Sequence, residues 1–118
     1  MLNKAPELQK QYGLFINGEW RPSSDGKYFK AHCPANGQVL AECAEATRED
    51  VDLAVSTAWE AWKSWKDVAP AKRADLLLKI ADVIDANKEH LAMVESLNNG
   101  KPIRETMAID VPFSADHF

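Results

Sequence analysis

The sequence predicts an α/β chain in which short strands and turns come first and helices follow. Three observations carry that reading. The first third is dense in turn residues, the apolar spacing becomes helical at Thr47, and the helices carry more apolar face than the short strands can cover. The expected organisation is a flexible arm at 1–11, short strands and turns at 12–46, and a helical part at 47–118.

The opening residues are polar and without period, hence the arm. Leu14, Phe15 and Ile16 lead into Asn17-Gly18, the strongest short hairpin signal, with Glu19 and Trp20 on the far side. Pro22, Ser23, Ser24, Asp25 and Gly26 form a second turn cluster. A strand is predicted from Lys27 to Cys33, where Tyr28 and Phe29 supply β propensity. Pro34-Ala35-Asn36-Gly37 turns the chain again, and Gln38 to Ala44 reads as another strand.

Thr47-Arg48-Glu49-Asp50 is a helix start, with a hydroxyl to cap free N–H groups and two acids in the first turn. Val51, Val55, Ala58, Trp62 and Trp65 follow at helical spacing. Trp59, Trp62 and Trp65 make a stripe expected to pack in a core or interface rather than to bind bases or sugars. Pro70 suits the first turn of the next helix. An apolar face runs from Leu76 to Leu97, and Asn87 is the expected break within it. Asn98-Asn99-Gly100 is a helix stop, and a last helix is expected from near Ile103, still unfinished at Phe118. Asp75, Asp82 and Asp85 with Lys79 read as a solvated face with i,i+4 pairing.

Composition narrows the function classes. The chain has 118 residues, 14 Lys+Arg against 18 Asp+Glu, a formal charge of −4 and 46% hydrophobic residues. That is an ordinary globular composition, and its mild acidity argues against nucleic acid or an anionic membrane surface as partner. No run approaches the ~18 apolar residues of a membrane span. The first residues lack the apolar core of a signal peptide, so a cytoplasmic location is expected. Cys33 and Cys43 lie ten apart without metal-type spacing and read as free thiols, Cys43 between Glu42 and Glu45 in no setting for a nucleophile. His32, His90 and His117 are too dispersed in sequence to suggest a metal cluster.

Four motifs in order then point to a family. Leu14-Phe15-Ile16-Asn17-Gly18-Glu19-Trp20, Pro34-Ala35-Asn36-Gly37, Glu49-Asp50-Val51-Asp52 and Glu95-Ser96-Leu97-Asn98-Asn99-Gly100-Lys101-Pro102 together resemble the amino-terminal part of the NAD(P)-dependent aldehyde dehydrogenases. Ile103-Arg104-Glu105-Thr106 and Asp110-Val111-Pro112 resemble the branch that oxidises acetaldehyde and other short aliphatic aldehydes. The resemblance implies an aldehyde dehydrogenase-like fold with a Rossmann-like cofactor domain. This chain would supply its amino-terminal strands, a short β-hairpin among them, and the three or four helices beside that domain.

It also implies an oxidoreductase that turns a small aldehyde into a carboxylic acid with NAD or NADP. A cysteine thiohemiacetal and a thioester are the expected intermediates, and a homo-oligomer, dimer or tetramer, the expected assembly. None of the family's catalytic or cofactor motifs stands in these residues. The glycines Gly13, Gly18, Gly26, Gly37 and Gly100 are all separated, so there is no phosphate loop, and the piece alone is expected to be inactive. One family site does map here: a Na⁺ or K⁺ ion held by the backbone carbonyls of Ala31 and His32 and by the side chain of Asn98. Asn98 stands where the family usually has Asp, and Cys33 where it usually has Asn; helix capping is the alternative role for Asn98. A reading from another class remains open, a non-enzymatic helical module that associates through the Trp59, Trp62 and Trp65 stripe.

Overall fold

In the computed structural model, which describes residues 6–118, the strands are β1 (Gln11–Tyr12), β2 (Leu14–Ile16), β3 (Glu19–Arg21), β4 (Tyr28–His32) and β5 (Val39–Ala44). The helices are α1 (Arg48–Trp65), α2 (Pro70–Ala86), α3 (Lys88–Asn99), α4 (Ile103–Glu105) and α5 (Val111–Asp116), with a π-helical turn at Thr106–Asp110 between the last two. The chain divides into two units, each described on its own: Gln9–Ala31 with Val39–Val68, and residues 6–8 with His32–Gln38 and Ala69–Phe118. Of the stretch read as an arm, residues 1–5 lie outside the described residues, whereas Gln11 already belongs to β1.

In the first unit, Asn17 and Gly18 adopt φ of 56° and 78°, the left-handed pair that a two-residue hairpin turn needs. β2 and β3 therefore pair antiparallel with Phe15 opposite Trp20, whose rings lie 5.1 Å apart. The second sheet has the order β1-β5-β4, with β1 parallel to β5 and Gln11 opposite Glu42. The Gln11 amide donates to the Glu42 carboxylate at 2.8 Å, and Glu42 N–H to the Lys10 carbonyl at 2.9 Å. A parallel pairing of residues thirty-one apart in sequence has no local signal, and the arm reading missed it.

The start of α1 is the best-satisfied polar site of this unit. The Asp50 carboxylate is buried and accepts from Thr47 N–H at 2.9 Å and Ser24 N–H at 3.1 Å. The hydroxyls of Thr47, Ser24 and Ser23 lie at 3.1, 3.3 and 3.3 Å from the same oxygen. Thr47 returns the bond by accepting from Asp50 N–H at 3.3 Å, which completes a capping box. These donors, Thr47 N–H foremost, hold the Asp50 carboxyl below its ordinary range. On the neighbouring turn, Lys27 holds the exposed Asp25 carboxyl down at about 2.

Beyond its first turn α1 buries nothing fully. Trp59, Trp62 and Trp65 are 64%, 48% and 39% exposed, so the stripe expected to pack is bare in this structure. Asp50 is the one buried residue of this helix.

In the second unit, Pro70 opens α2 and Asn87 ends it, the Asn87 side chain donating to the Val83 carbonyl at 2.8 Å as α3 begins. α2 packs on α5, and α3 on the π turn and α5. The buried apolar residues are Cys33, Ala92, Val111 and Ala115, small side chains that let backbones approach. α2 itself has no buried residue although it carries Leu76, Leu77, Leu78, Ile80 and Val83. Asp75, Lys79, Asp82 and Asp85 are exposed as expected, but no ion pair joins them among the described residues.

The last helix differs from its expectation. It is broken by the π turn, after which α5 runs over Val111–Asp116 with His117 still in the helical region and its Nδ1 2.6 Å from the Phe113 carbonyl. Pro112 explains part of this: it has no N–H, and its ring would strike the carbonyl four residues back in a regular helix, so a widened turn just before it relieves the clash. Thr106 explains the rest. Its side chain is fully buried, and its hydroxyl lies 2.9 Å from the Ala92 carbonyl, 3.1 Å from the Ile103 carbonyl and 3.0 Å from Ser96 Oγ. Among the described residues no helix is long and apolar enough to cross a membrane.

Thr47→Ala is expected to cost about 1 kcal/mol of stability, the usual value of a lost cap. Asp50→Asn should lower the melting temperature near neutral pH. Because the folded Asp50 pKa is depressed, its contribution is present above the ordinary carboxylate range and fades as pH falls through the folded value. Melts of the two proteins should therefore converge in acid. Thr106→Val, which removes the buried hydroxyl that bonds Ala92, Ile103 and Ser96, is expected to cost about 1 kcal/mol by denaturant titration, and Thr106→Ser much less.

Candidate functional site

The sequence places possible cation ligands at Ala31, His32 and Asn98. Ala31 belongs to the first unit, half-buried on β4. His32 and Asn98 belong to the second, where the turn after His32 is closely tied. Cys33 N–H donates to the Gln38 carbonyl at 2.8 Å and Gly37 N–H to the Cys33 carbonyl at 2.7 Å. Asn36 Oδ1 accepts from Gln38 N–H at 3.0 Å, and His32 Nδ1 lies 3.3 Å from the Gly37 carbonyl.

The end of α3 is fixed just as firmly. Gly100 takes φ 83° and donates to the Ser96 carbonyl at 3.0 Å. Asn99 Oδ1 accepts from Lys101 N–H at 2.7 Å while its amide donates to the Glu95 carboxylate. Gly100 is thus the cap of α3, and among the described residues the Asn98 side chain bonds no helix carbonyl, which corrects the capping alternative for Asn98. Asn98 is exposed, and its side chain has no hydrogen bond among the described residues.

These two segments meet. A Cβ on Gly100 would lie 2.9 Å from Pro34 Cγ, so the turn after His32 is seated on the end of α3. The charges nearby are already engaged: the Lys101 ammonium sits 2.7 Å from the Asp110 carboxylate, which raises the lysine pKa. Among the described residues no three His, Cys, Asp or Glu side chains are grouped to hold a metal.

Cys33 is buried and Cys43 half-buried, both as free thiols. The five glycines are all separated in the sequence. Gly18, Gly26, Gly37 and Gly100 serve turns at positive φ, and Gly13 lies where a Cβ would be 2.6 Å from the Arg21 carbonyl oxygen. Sequence reasoning missed Thr106 and Asp50 as polar anchors. The available signals were a threonine inside an amphipathic run and the Thr47-to-Asp50 spacing, which is that of a capping box.

The sequence profile of the aldehyde dehydrogenase family matches residues 20–118. The chain belongs to that family. It is 46% identical over 110 residues to a "Probable aldehyde dehydrogenase" of Streptomyces coelicolor, and 44% identical over 111 residues to an "Aldehyde dehydrogenase" of Deinococcus radiodurans. It covers 93% and 94% of itself in those alignments but only 22% of each relative. The structure superposes on that of PnpE solved with nicotinamide adenine dinucleotide at a TM-score of 0.85 and 39% identity, covering 92% of this chain and 22% of that one. The described fold is thus the amino-terminal part of an aldehyde dehydrogenase fold, and the chain spans under a quarter of the length of these relatives.

The Pro34–Gly100 seat gives a direct test. Gly100→Ala is expected to cost about 1–2 kcal/mol from the left-handed backbone alone, and more because Pro34 must shift. Gly37→Ala, at φ 72° with open space around it, should show the backbone cost only. Paired thermal melts of the two variants check the difference.

Proposed function

We propose that these residues form the amino-terminal portion of an NAD(P)-dependent aldehyde dehydrogenase acting on a small, short aliphatic aldehyde. The observation that carries this is the family match over residues 20–118 in a chain that spans 22% of its relatives. The motif at 103–112 supports the short-aliphatic choice by its resemblance to that branch. The bare helix faces fit the same reading: α2 leaves Leu76, Leu77, Ile80 and Val83 exposed beside its charged face, the pattern of an amphipathic helix that another layer covers on one side. We assign 47–118 to the layer flanking the cofactor-binding domain, and 12–46, together with Gln11 of β1, to the entry strands.

The reaction would be aldehyde plus NAD(P)⁺ plus water giving carboxylate and NAD(P)H. The cofactor supplies hydride acceptance when bound, and the thiohemiacetal and thioester belong to a cysteine outside this chain. This chain's own contribution is structural: it presents apolar faces to the remainder and brings no group to the reacting atoms. The whole protein is read as a cytoplasmic homo-oligomer. The relatives described above are enzymes and lend no support to a stand-alone tryptophan module. The test is the intact protein with short aldehydes and each cofactor. Aldehyde-dependent rise in reduced-nicotinamide absorbance is expected, and none with either cofactor would end the proposal.

We further propose that a Na⁺ or K⁺ ion uses the Ala31 and His32 carbonyls and the Asn98 amide oxygen, supported within the second unit by the Pro34–Gly100 seat. The intact protein should then melt higher in Na⁺ or K⁺ than in choline at equal ionic strength. Asn98→Ala should remove that increment and Asn98→Asp enlarge it. Identical melts in all three salts would dismiss the site.

A further inference from the structure

Three Asn-Gly dipeptides stand in the chain: Asn17-Gly18, Asn36-Gly37 and Asn99-Gly100. All three are exposed, and glycine after asparagine leaves the least steric hindrance to attack by the main-chain nitrogen. In that chemistry the glycine nitrogen, having lost its proton to base, bonds to the asparagine side-chain carbon. The bond to the side-chain nitrogen breaks, ammonia leaves with a proton from water, and a cyclic imide remains. Water then opens either imide carbonyl, giving aspartate or isoaspartate. No oxidant or cofactor is needed. The step does require a glycine N–H that is not held elsewhere and a side chain free to turn toward it.

The structure separates the three on those two requirements. At Asn36 the Gly37 N–H is bound to the Cys33 carbonyl at 2.7 Å, and the Asn36 side chain accepts from Gln38 N–H at 3.0 Å and lies 3.3 Å from the Gln38 side-chain oxygen. At Asn99 the Gly100 N–H is bound to the Ser96 carbonyl at 3.0 Å, and the side chain is held by Lys101 N–H and Glu95. At Asn17 neither constraint exists. The hairpin closes through Ile16 and Glu19, so among the described residues neither Gly18 N–H nor the Asn17 side chain has a partner. The space around Gly18 is open.

We infer that Asn17 is a site of spontaneous deamidation, selected over Asn36 and Asn99 by the hydrogen bonds that hold those two. The aspartate product keeps a residue that tolerates the left-handed turn and adds one negative charge at the hairpin tip. The isoaspartate product inserts an extra carbon into the main chain between the strands, which breaks the two-residue turn and the register of Phe15 on Trp20.

The test ages the intact, natively folded protein at mildly alkaline pH and follows the three Asn-Gly peptides by mass after digestion, with a urea-unfolded sample in parallel. In the native protein Asn17 is expected to convert faster than Asn36 or Asn99 by on the order of tenfold, equivalent to about 1.4 kcal/mol. In urea the three rates should draw together, because the bonds that rank them are gone. Equal native rates, a faster Asn36 or Asn99, or a native Asn17 still intact when the unfolded sample has largely converted would each overturn the inference.

Discussion

Water is the constraint on which the rest of the structure depends. Among the described residues twenty large apolar side chains remain exposed while seven apolar residues are buried, and most of the buried ones are alanine. Fully burying a Val, Leu, Ile or Phe is worth roughly 1.5–3 kcal/mol, and each of these partly exposed side chains forgoes a share of that. Short isolated helices are marginal in water, so α1 and α2 do not owe their faces to the small cores seen here. Their amphipathic patterns suit cover from another layer. The family's much longer chains are consistent with that demand.

With little apolar burial, each unit leans on one buried polar hub. Asp50 gathers main-chain and hydroxyl donors from two turns and fixes where α1 starts. Thr106 spends one hydroxyl on α3 and on its own turn, which fixes where the helix widens. Both residues are short and polar, and both are buried with partners, the condition under which such groups stabilise rather than cost. The two hubs also show why charge on a surface is a weaker guide than charge at a cap. The aspartates of α2 have a lysine at ideal spacing and still make no ion pair among the described residues, because exposed pairs gain too little to hold both side chains in one geometry.

What the sequence makes legible is local chemistry. Asn17-Gly18 specifies its turn, Thr47 its cap, Pro70 and Asn87 the limits of α2, and Gly100 the stop of α3, because each acts through its own φ or its own hydrogen bond. The strands predicted at Lys27–Cys33 and Gln38–Ala44 come within a residue of β4 and β5. Non-local features were not legible. The pairing of β1 with β5 depends on a contact across the whole turn region, and the π turn depends on a carbonyl of α3 meeting Thr106. The tryptophan stripe was legible as apolar but not as uncovered, since periodicity reports which face is greasy and not what lies opposite.

The adjacent asparagines at the end of α3 illustrate how neighbouring identical residues acquire different roles. A helix that stops in a left-handed glycine leaves its last carbonyls and the next N–H to be satisfied from the side. Asn99 is placed to reach Lys101 N–H and Glu95, so its amide is spent on the stop. Asn98, one position earlier, points off the helix at a different angle and keeps its oxygen unclaimed among the described residues. Pro34 lies against Gly100, which fixes the stop relative to the turn that follows His32. Any ligand role for Asn98 thus rests on two features that bind nothing: a glycine with no room for a side chain, and a neighbour whose amide is already spent on Lys101 N–H and Glu95.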